Sequence, residues 1–229
     1  MKISGLMKLT LLDFPGHVAC TVFLAGCNFR CPFCHNGSLV RGGDLEISRD
    51  ELTAFLKKRQ GVLDGVCVTG GEPLLNPDVG ELLREIKSLG YLVKLDTNGS
   101  YPERLSEILN DGLADYVAMD IKSSEDGYFL ACGCNADVQN IKKSIEIIKS
   151  SGVDHEFRTT VVKGIHTAKD IARCATLVGE GEKYFLQSYK ASDDIISPDG
   201  LSSFDTEELK EILAEAQKSN SKTALRGVD

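Results

Sequence analysis

The 229-residue sequence lacks the features that mark a membrane or nucleic-acid-binding protein. No apolar run approaches the roughly 20 residues that span a bilayer. The first residues, MKISGLMKLTLLDFPG, lack the unbroken apolar segment and small-residue cleavage site of a signal peptide. Basic residues are not in excess, since 26 lysines and arginines stand against 34 acidic residues, and nucleic-acid-binding proteins typically carry a basic field. We therefore expect a cytoplasmic protein with neither nucleic acid nor a membrane among its partners.

The sequence also lacks any linker, low-complexity tract or block of like charge that would divide it. Its hydrophobic fraction of 42% and charged fraction of 26% are those of an ordinary globular protein. A single α/β barrel commonly has this length. We expect one domain over residues 1–229, with a core at about 16–190 and a C-terminal helix at 205–217.

Short apolar segments alternate with amphipathic segments along the chain. Ser48, with Glu51 three residues later, predicts a capping box at the start of the first helix. The pattern predicts six strands, at 17–24, 65–69, 91–97, 115–121, 155–162 and 183–189. It predicts six helices, at 48–60, 77–90, 102–112, 138–152, 167–179 and 205–217. Continuous apolar strands alternating with helices pair in parallel, and six units are too few for a closed eight-unit barrel. The predicted fold class is therefore α/β, as a partial (β/α)6 barrel.

Three of the eight cysteines, Cys27, Cys31 and Cys34, lie in the segment AGCNFRCPFCHNG (25–37) directly after the first predicted strand. In a reducing cytosol, cysteines are more often metal ligands or small buried apolar residues than disulfides. The last part of the segment also matches the C-x-x-C-H motif of covalent haem attachment. That attachment takes place outside the cytosol, so the missing export signal argues against haem.

The three thiols leave a choice between zinc and an iron–sulfur cluster. A structural zinc ion needs a fourth ligand, and the candidate His35 directly follows Cys34. Adjacent side chains rarely reach one ion without strain. Three closely spaced thiolates can instead hold three corners of a cubane cluster. This favours a cluster with one open iron, while a noncatalytic zinc or iron–sulfur module is the alternative from another functional class.

The spacing C-x3-C-x2-C, with Phe33 before the last cysteine, resembles the signature of the radical S-adenosylmethionine (radical SAM) superfamily. Gly70-Gly71-Glu72-Pro73 after the second strand resembles that superfamily's GGEP element, and a partial barrel is its fold. The resemblance implies a [4Fe-4S] cluster on Cys27, Cys31 and Cys34, whose open iron binds S-adenosylmethionine. Reductive cleavage then gives methionine and a 5′-deoxyadenosyl radical. The glycines would let the backbone approach the cofactor, and Glu72 would orient the loop or contact the cofactor's amine.

Residues 11–40, LDTNG (95–99) and MDIK (119–122) resemble the activating enzymes of glycyl radical enzymes, best of all those of anaerobic ribonucleoside-triphosphate reductase. This resemblance implies hydrogen abstraction from a glycine of a partner glycyl radical enzyme, with anaerobic ribonucleotide reductase as the expected partner. A flavodoxin- or ferredoxin-type protein would donate the electron. The alternative is a radical SAM enzyme that acts on a small molecule, such as a deazaguanine-forming synthase.

Parallel α/β folds bind ligands at the carboxyl ends of their strands. Together with the resemblance, this rule gives a set of expected cofactor-binding residues. These are Phe33, Cys34, His35, Gly70, Gly71, Glu72, Asp96, Asn98, Asp120, Lys122 and Gln187. The matching also implies a monovalent cation held by Asp96, Asp120 and the carbonyl groups of Thr97 and Ala118, with Lys122 neutralising negative charge. The pyruvate formate-lyase activating enzymes carry a histidine at the end of the sixth strand, and here Gln187 or Tyr189 would serve instead.

The remaining cysteines have a structural interpretation. Cys20 and Cys67 lie in apolar strands and Cys174 on an amphipathic helix, so we expect them in the core. Cys132 and Cys134 form a C-x-C pair that suits a redox pair or a second metal, but two ligands rarely suffice. We expect incidental thiols in a loop.

Other polar residues leave two interpretations open. Arg158 in the fifth strand suits either a cofactor contact or a buried ion pair. Asp96 and Asp120 suit either the site or helix caps. His17, His155 and His166 are expected in structural or surface positions.

Overall fold

The computed structural model describes residues 1–227, and its eight strands form one sheet in the order of the chain. The strands are β1 (Ile3–Thr10), β2 (Ala19–Leu24), β3 (Gly65–Gly70), β4 (Leu92–Thr97), β5 (Tyr116–Asp120), β6 (Asp154–Val161), β7 (Tyr184–Ser188) and β8 (Thr223–Arg226). All neighbours from β2 to β8 pair in parallel, while β1 pairs antiparallel to β2. The sheet does not close, because β1 and β8 each have one neighbour. The predicted open α/β barrel is confirmed.

The sequence prediction of six strands is too low, because it omits β1 and β8. Strand β1 is an edge strand whose Met7 and Leu9 side chains are exposed, so it lacks the continuous apolar character used to find the other strands. Strand β8 has only four residues, too few for a period to show. The sheet therefore extends beyond the predicted core at both ends.

Within the described residues 1–227, eight α-helices connect the strands. They are α1 (Gly37–Val40), α2 (Arg49–Arg59), α3 (Val79–Ser88), α4 (Pro102–Asn110), α5 (Tyr128–Cys132), α6 (Val138–Ser151), α7 (Ala168–Val178) and α8 (Thr206–Gln217). The six longer helices begin and end within two residues of the predicted bounds. The predicted capping box is also present, since the Ser48 hydroxyl accepts from the Glu51 amide and the Glu51 carboxylate accepts from the Ser48 amide. The short helices α1 and α5 were not predicted.

Alternate side chains of each strand face the helices and form the main apolar core. Val22 on β2, Val68 on β3 and Leu95 on β4 are fully buried there, with Leu52 and Leu82 from the helices. Burying each such side chain stabilises the fold by about 1.5–3 kcal/mol. The opposite face of the parallel strands is left for polar groups, which collect at the site described below.

The predicted core cysteines are all buried. Cys20 and Cys174 belong to the main core. Cys67 lies on the opposite face of the sheet, where its Sγ is 3.8 Å from Nζ of Lys94. Within residues 1–227, no helix combines the length and the apolar composition needed to cross a membrane.

Candidate cofactor site

A cavity of about 240 Å³ lies at the carboxyl ends of the parallel strands. The loop that follows β2 supplies much of its walls, the ends of β3, β4 and β5 and the residues directly after them supply more, and β6 and β7 complete it. Every residue expected to hold the cluster or S-adenosylmethionine lines it, with the exception of Glu72. Those residues are Cys27, Cys31, Phe33, Cys34, His35, Gly70, Gly71, Asp96, Asn98, Asp120, Lys122 and Gln187. These residues therefore meet at the carboxyl ends of the parallel strands, where the order of strands and helices predicted the site.

The loop after β2 brings Cys27, Cys31 and Cys34 to this cavity. Its turns are held by the Cys34 amide, which donates to the Cys31 carbonyl at 3.1 Å, and by the Arg30 guanidinium, which donates to the Cys27 carbonyl at 2.6 Å. Burial raises the pKa of the Cys27 thiol to about 11 and that of Cys31 to about 12. These thiols therefore hold their protons at neutral pH until a metal displaces them, because metal binding requires the thiolate.

The three thiols fit a cluster better than a single ion. Among residues 1–227, no three His, Cys, Asp or Glu side chains converge on a point that holds one metal ion. In a cubane cluster each cysteine binds a different iron atom, so the sulfurs need not converge. Three cysteines in one short loop, all facing one cavity, match that donor set.

Gly70, the last residue of β3, and Gly71, which follows it, are required where the GGEP loop packs on the cysteine loop. A Cβ at Gly71 would lie 1.9 Å from the carbonyl oxygen of Gly26. Gly70 has φ +126°, and a Cβ there would lie 2.3 Å from the Leu24 backbone. The close approach lets the Glu72 amide donate to the Gly26 carbonyl at 2.8 Å. The glycines thus fix the GGEP loop against the cysteine loop, in addition to lining the cavity.

Glu72 is fully buried and orients the loops around it. Its carboxylate accepts hydrogen bonds from the Leu74 amide at 3.0 Å, the Thr97 hydroxyl at 2.8 Å and the Asn98 amide at 2.6 Å. Burial raises the pKa of Glu72 to about 7, against the lowering effect of these bonds. Of the two roles suggested by the sequence, these contacts correspond to orienting the loop.

Asn98 connects the loop after β4 to the cysteine loop. Its amide group donates to the side-chain oxygen of Asn28 at 3.0 Å and lies 4.0 Å from the Cys27 sulfur. Its own side-chain oxygen accepts from the Ser100 amide at 3.0 Å. Asn98 therefore positions the first cysteine as well as lining the cavity.

A network of charged side chains forms the floor of the cavity. Arg158 Nε donates to Asp120 at 2.9 Å, and Arg158 Nη2 donates to Asp96 at 3.2 Å. Lys122 Nζ donates to the other Asp120 oxygen at 2.9 Å, and Lys94 donates to the other Asp96 oxygen. Although burial raises the pKa of each aspartate, the neighbouring cations hold both pKa values below the usual range. Arg158 both lines the cavity and forms ion pairs, so the two interpretations left open by the sequence are not exclusive.

Lys94 and Thr160 are among the residues at this site that the sequence did not predict. Thr160 lines the cavity, and Lys94 lies in the network beneath it. A signal was present, since each lies two residues from a recognised site residue, Asp96 or Arg158. Side chains two apart in a strand share a face of the sheet.

Phe33 is buried, and its ring meets the His166 ring edge-on at a centroid distance of 6.1 Å. His166 Nε2 donates to the Lys122 carbonyl at 2.8 Å, and its Nδ1 accepts from the Val162 amide at 3.1 Å. Burial lowers the pKa of His166, so the ring is neutral. The structural role expected for His166 is confirmed, because both nitrogens are used in holding the backbone.

The Cys132–Cys134 pair packs against the cysteine loop. The two sulfurs are 3.7 Å apart, and the Cys132 carbonyl accepts from the Arg30 amide at 2.8 Å. Cys132 is fully buried at the end of α5. That these thiols are incidental to the chemistry stays a prediction.

The sequence pattern of the Radical SAM superfamily matches residues 21–176, which is more than half of the chain and includes the cysteine loop and the GGEP loop. The chain belongs to the radical SAM superfamily. Radical SAM enzymes use a [4Fe-4S] cluster and S-adenosylmethionine, and the cofactor prediction is confirmed at that level. The chain is accordingly an enzyme of the radical SAM type.

Three relatives of this radical SAM enzyme differ in what their names say they do. A Methanocaldococcus jannaschii protein that carries the provisional name of a glycyl-radical enzyme activating enzyme is 34% identical over 200 residues, which are 83% of this chain and 81% of the relative. The pyruvate formate-lyase-activating enzyme of Clostridium pasteurianum is 29% identical over 75% of this chain and 73% of its own. The 7-carboxy-7-deazaguanine synthase of Methanospirillum hungatei is 30% identical over 68% of this chain and 63% of its own.

The fold has a counterpart among solved structures. A radical SAM methyltransferase from Sphaerobacter thermophilus superposes with a TM-score of 0.70 at 14% identity, over 95% of this chain and 68% of that one. At this identity the likeness concerns the fold alone.

Proposed function

We propose that this radical SAM enzyme activates a glycyl radical enzyme, with anaerobic ribonucleotide reductase as the expected partner. The observation that carries the proposal is the 34% identity, over most of both chains, with the relative provisionally named for that activity. The similarity to the pyruvate formate-lyase-activating enzyme supports it. Both relatives point to a protein as the substrate.

In this proposal the bound cluster and S-adenosylmethionine supply a one-electron cleavage of the cofactor's C5′–S bond, which yields methionine and a 5′-deoxyadenosyl radical. A flavodoxin- or ferredoxin-type protein supplies the electron. One hydrogen atom from a glycine Cα of the partner would then pass to this radical, leaving 5′-deoxyadenosine and a glycyl radical. The chain contributes binding, orientation and the exclusion of water.

Different residues of the cavity would bind the cluster, the cofactor's carboxylate and its adenine. The thiolates of Cys27, Cys31 and Cys34 would hold three irons of the cluster. Lys122 and Arg158, at the floor, would attract the carboxylate of the cofactor's methionine. Phe33 and His35 provide ring surfaces at the cavity wall for the adenine.

A protein partner also accounts for two exposed apolar side chains beside the cysteine loop. Phe129 is 63% exposed and Leu130 is 56% exposed on α5. The same helix ends at Cys132, whose carbonyl holds the Arg30 amide of the cysteine loop. Protein interfaces typically bury large apolar side chains of this kind, so we infer that the partner contacts α5.

The test combines the anaerobically reconstituted chain, a reductant, S-adenosylmethionine and a purified candidate glycyl radical enzyme. We expect 5′-deoxyadenosine and methionine by mass spectrometry and a glycyl radical by electron paramagnetic resonance. A partner variant with alanine in place of the glycine should give no radical signal. The double variant Phe129→Ser/Leu130→Ser should cleave the cofactor normally but form less glycyl radical.

The similarity to the deazaguanine synthase makes a small-molecule reaction the second candidate. In that case a soluble deazaguanine precursor is consumed without any partner protein, and no glycyl radical forms. Cofactor cleavage together with such turnover would contradict the activase proposal. A chain that holds a fully ligated metal and never cleaves the cofactor would support the noncatalytic module.

A further inference from the structure

Lys94 places an ammonium group inside the barrel, where it has one charged partner. The side chain is 1% exposed and lies on β4, two residues before Asp96. Within residues 1–227 its ion pair is with Asp96, and its other polar contact is the Cys67 sulfur at 3.8 Å. A buried ammonium without a carboxylate is strongly unfavourable, so Asp96 is committed to Lys94.

All four oxygens of Asp96 and Asp120 already accept from cationic groups. Asp96 Oδ1 accepts from Lys94, and its Oδ2 accepts from Arg158. Asp120 Oδ1 accepts from Arg158, and its Oδ2 accepts from Lys122. An alkali metal ion on these oxygens would lie directly beside an ammonium or guanidinium group, which repels it. The monovalent cation implied by the resemblance therefore does not fit these two aspartates.

We propose that the ammonium of Lys94 takes the place of the alkali metal ion, so that this chain binds S-adenosylmethionine without one. The inference rests on the cofactor of the family and does not depend on the identity of the partner. Lys94 is a positioning residue in this scheme. It neutralises Asp96, which holds Arg158, and Arg158 faces the cavity. A cation that is part of the chain is always in place, whereas a free ion has to bind from solution.

The experiment measures S-adenosylmethionine binding by calorimetry to the anaerobically reconstituted protein, without reductant. One buffer contains tetramethylammonium as its sole monovalent cation, and the other contains potassium at the same ionic strength. The variants are Lys94→Met, which keeps the unbranched shape without the charge, and Lys210→Met, an exposed lysine on α8, as the matched control. Iron content and circular dichroism confirm that each protein is loaded and folded.

We expect the Kd of the wild type and of Lys210→Met to differ less than about twofold between the buffers. For Lys94→Met we expect binding at least about tenfold weaker in tetramethylammonium, with recovery in potassium. A wild type that loses affinity without potassium overturns the proposal. So does a Lys94→Met variant with wild-type affinity in both buffers.

If Lys94→Met does not fold, thallium(I) binding to the wild-type protein in the presence of S-adenosylmethionine decides the question. The absence of saturable binding supports the proposal, and saturable binding at the site overturns it. A wild type that binds no S-adenosylmethionine in either buffer overturns the cofactor assignment together with this proposal. The activase proposal fails separately, through the missing glycyl radical.

Discussion

Arg158 and Asp120 are register partners on adjacent strands, and Arg158 Nε donates to the Asp120 carboxylate at 2.9 Å. The same guanidinium reaches Asp96 on β4 at 3.2 Å. Because alternate side chains of a strand share a face, the backbone register itself brings these groups together. One arginine thus ties β4, β5 and β6 at the floor of the cavity.

Removing the Asp120 carboxylate should destabilise the protein. Asp120→Asn leaves Arg158 and Lys122 each without one anionic partner. We expect the free energy of unfolding to fall by about 2–3 kcal/mol at neutral pH. The loss is smaller than for a fully buried ion pair because the Asp120 side chain is partly exposed. Burial raises the pKa of Asp120, but the charges of Arg158 and Lys122 outweigh burial and hold this pKa below the ordinary value of 3.8. The carboxylate therefore stabilises the fold above that value, and its contribution is lost as the pH falls toward the lower folded-state pKa.

Urea unfolding of the wild type and Asp120→Asn, at neutral pH and again below 3.8, measures this effect. The difference between the two proteins should shrink in acid. Asp126→Asn is the control, because its pair with Arg173 is exposed and should contribute little. An Asp120→Asn deficit that grows in acid would show that the network is not what stabilises this carboxylate.

The cluster should depend on three cysteines and no others. Cys27→Ala, Cys31→Ala and Cys34→Ala should each reduce the iron and sulfide bound after reconstitution and abolish 5′-deoxyadenosine formation. Cys132→Ser is the matched control, because this thiol is fully buried beside the same loop and donates to the Cys134 carbonyl at 3.1 Å, as a serine hydroxyl can. Iron loss in Cys132→Ser would assign this cysteine a role in holding the cluster.

Gly71→Ala should disrupt the contact between the GGEP loop and the cysteine loop. The added Cβ would lie 1.9 Å from the Gly26 carbonyl oxygen, so one loop must move. We expect a lower melting temperature and weaker S-adenosylmethionine binding. Gly80→Ala in the first turn of α3 is the control, since its Cβ would meet nothing closer than 3.9 Å and should be neutral or stabilising by about 0.5–1 kcal/mol. Equal melting temperatures for the two variants would refute this role of Gly71.

Glu72→Gln should weaken cofactor binding although Glu72 does not line the cavity. Glutamine has one accepting oxygen, because its amide nitrogen is a donor, so the Thr97 hydroxyl and the Asn98 amide, which now donate to different oxygens, cannot both keep an acceptor. This leaves a buried donor unpaired at a cost of about 1–3 kcal/mol. We expect S-adenosylmethionine affinity to fall about tenfold, measured by calorimetry. Glu51→Gln on the exposed start of α2 should leave the affinity unchanged. Unaltered binding by Glu72→Gln would mean that the loop keeps its shape without this carboxylate.

Local patterns in the sequence were enough to predict most of the fold. Four of the six longer helices carry a side-chain N-cap, as α2 does at Ser48, and all six present apolar side chains to the core. The six inner strands carry apolar side chains at alternate positions, such as Val66 and Val68 on β3. The edge strand β1 and the four-residue strand β8 lack such patterns. They form because a neighbouring strand offers free backbone groups, which a local pattern does not reveal.

The sequence by itself determined the family, the three cysteines expected to hold the cluster and the edge of the sheet where they lie, because each depends on residue spacing or on the order of strands and helices. Only the tertiary structure decided what Lys94, Glu72 and the two glycines do. Their contacts join residues from different loops and strands, such as Gly71 with Gly26 and Glu72 with Asn98. The distances between such segments, and the burial of their side chains, are set only when the chain folds. The hydrogen-bond partners, the pKa values and the steric fit of these residues are therefore properties of the packed molecule.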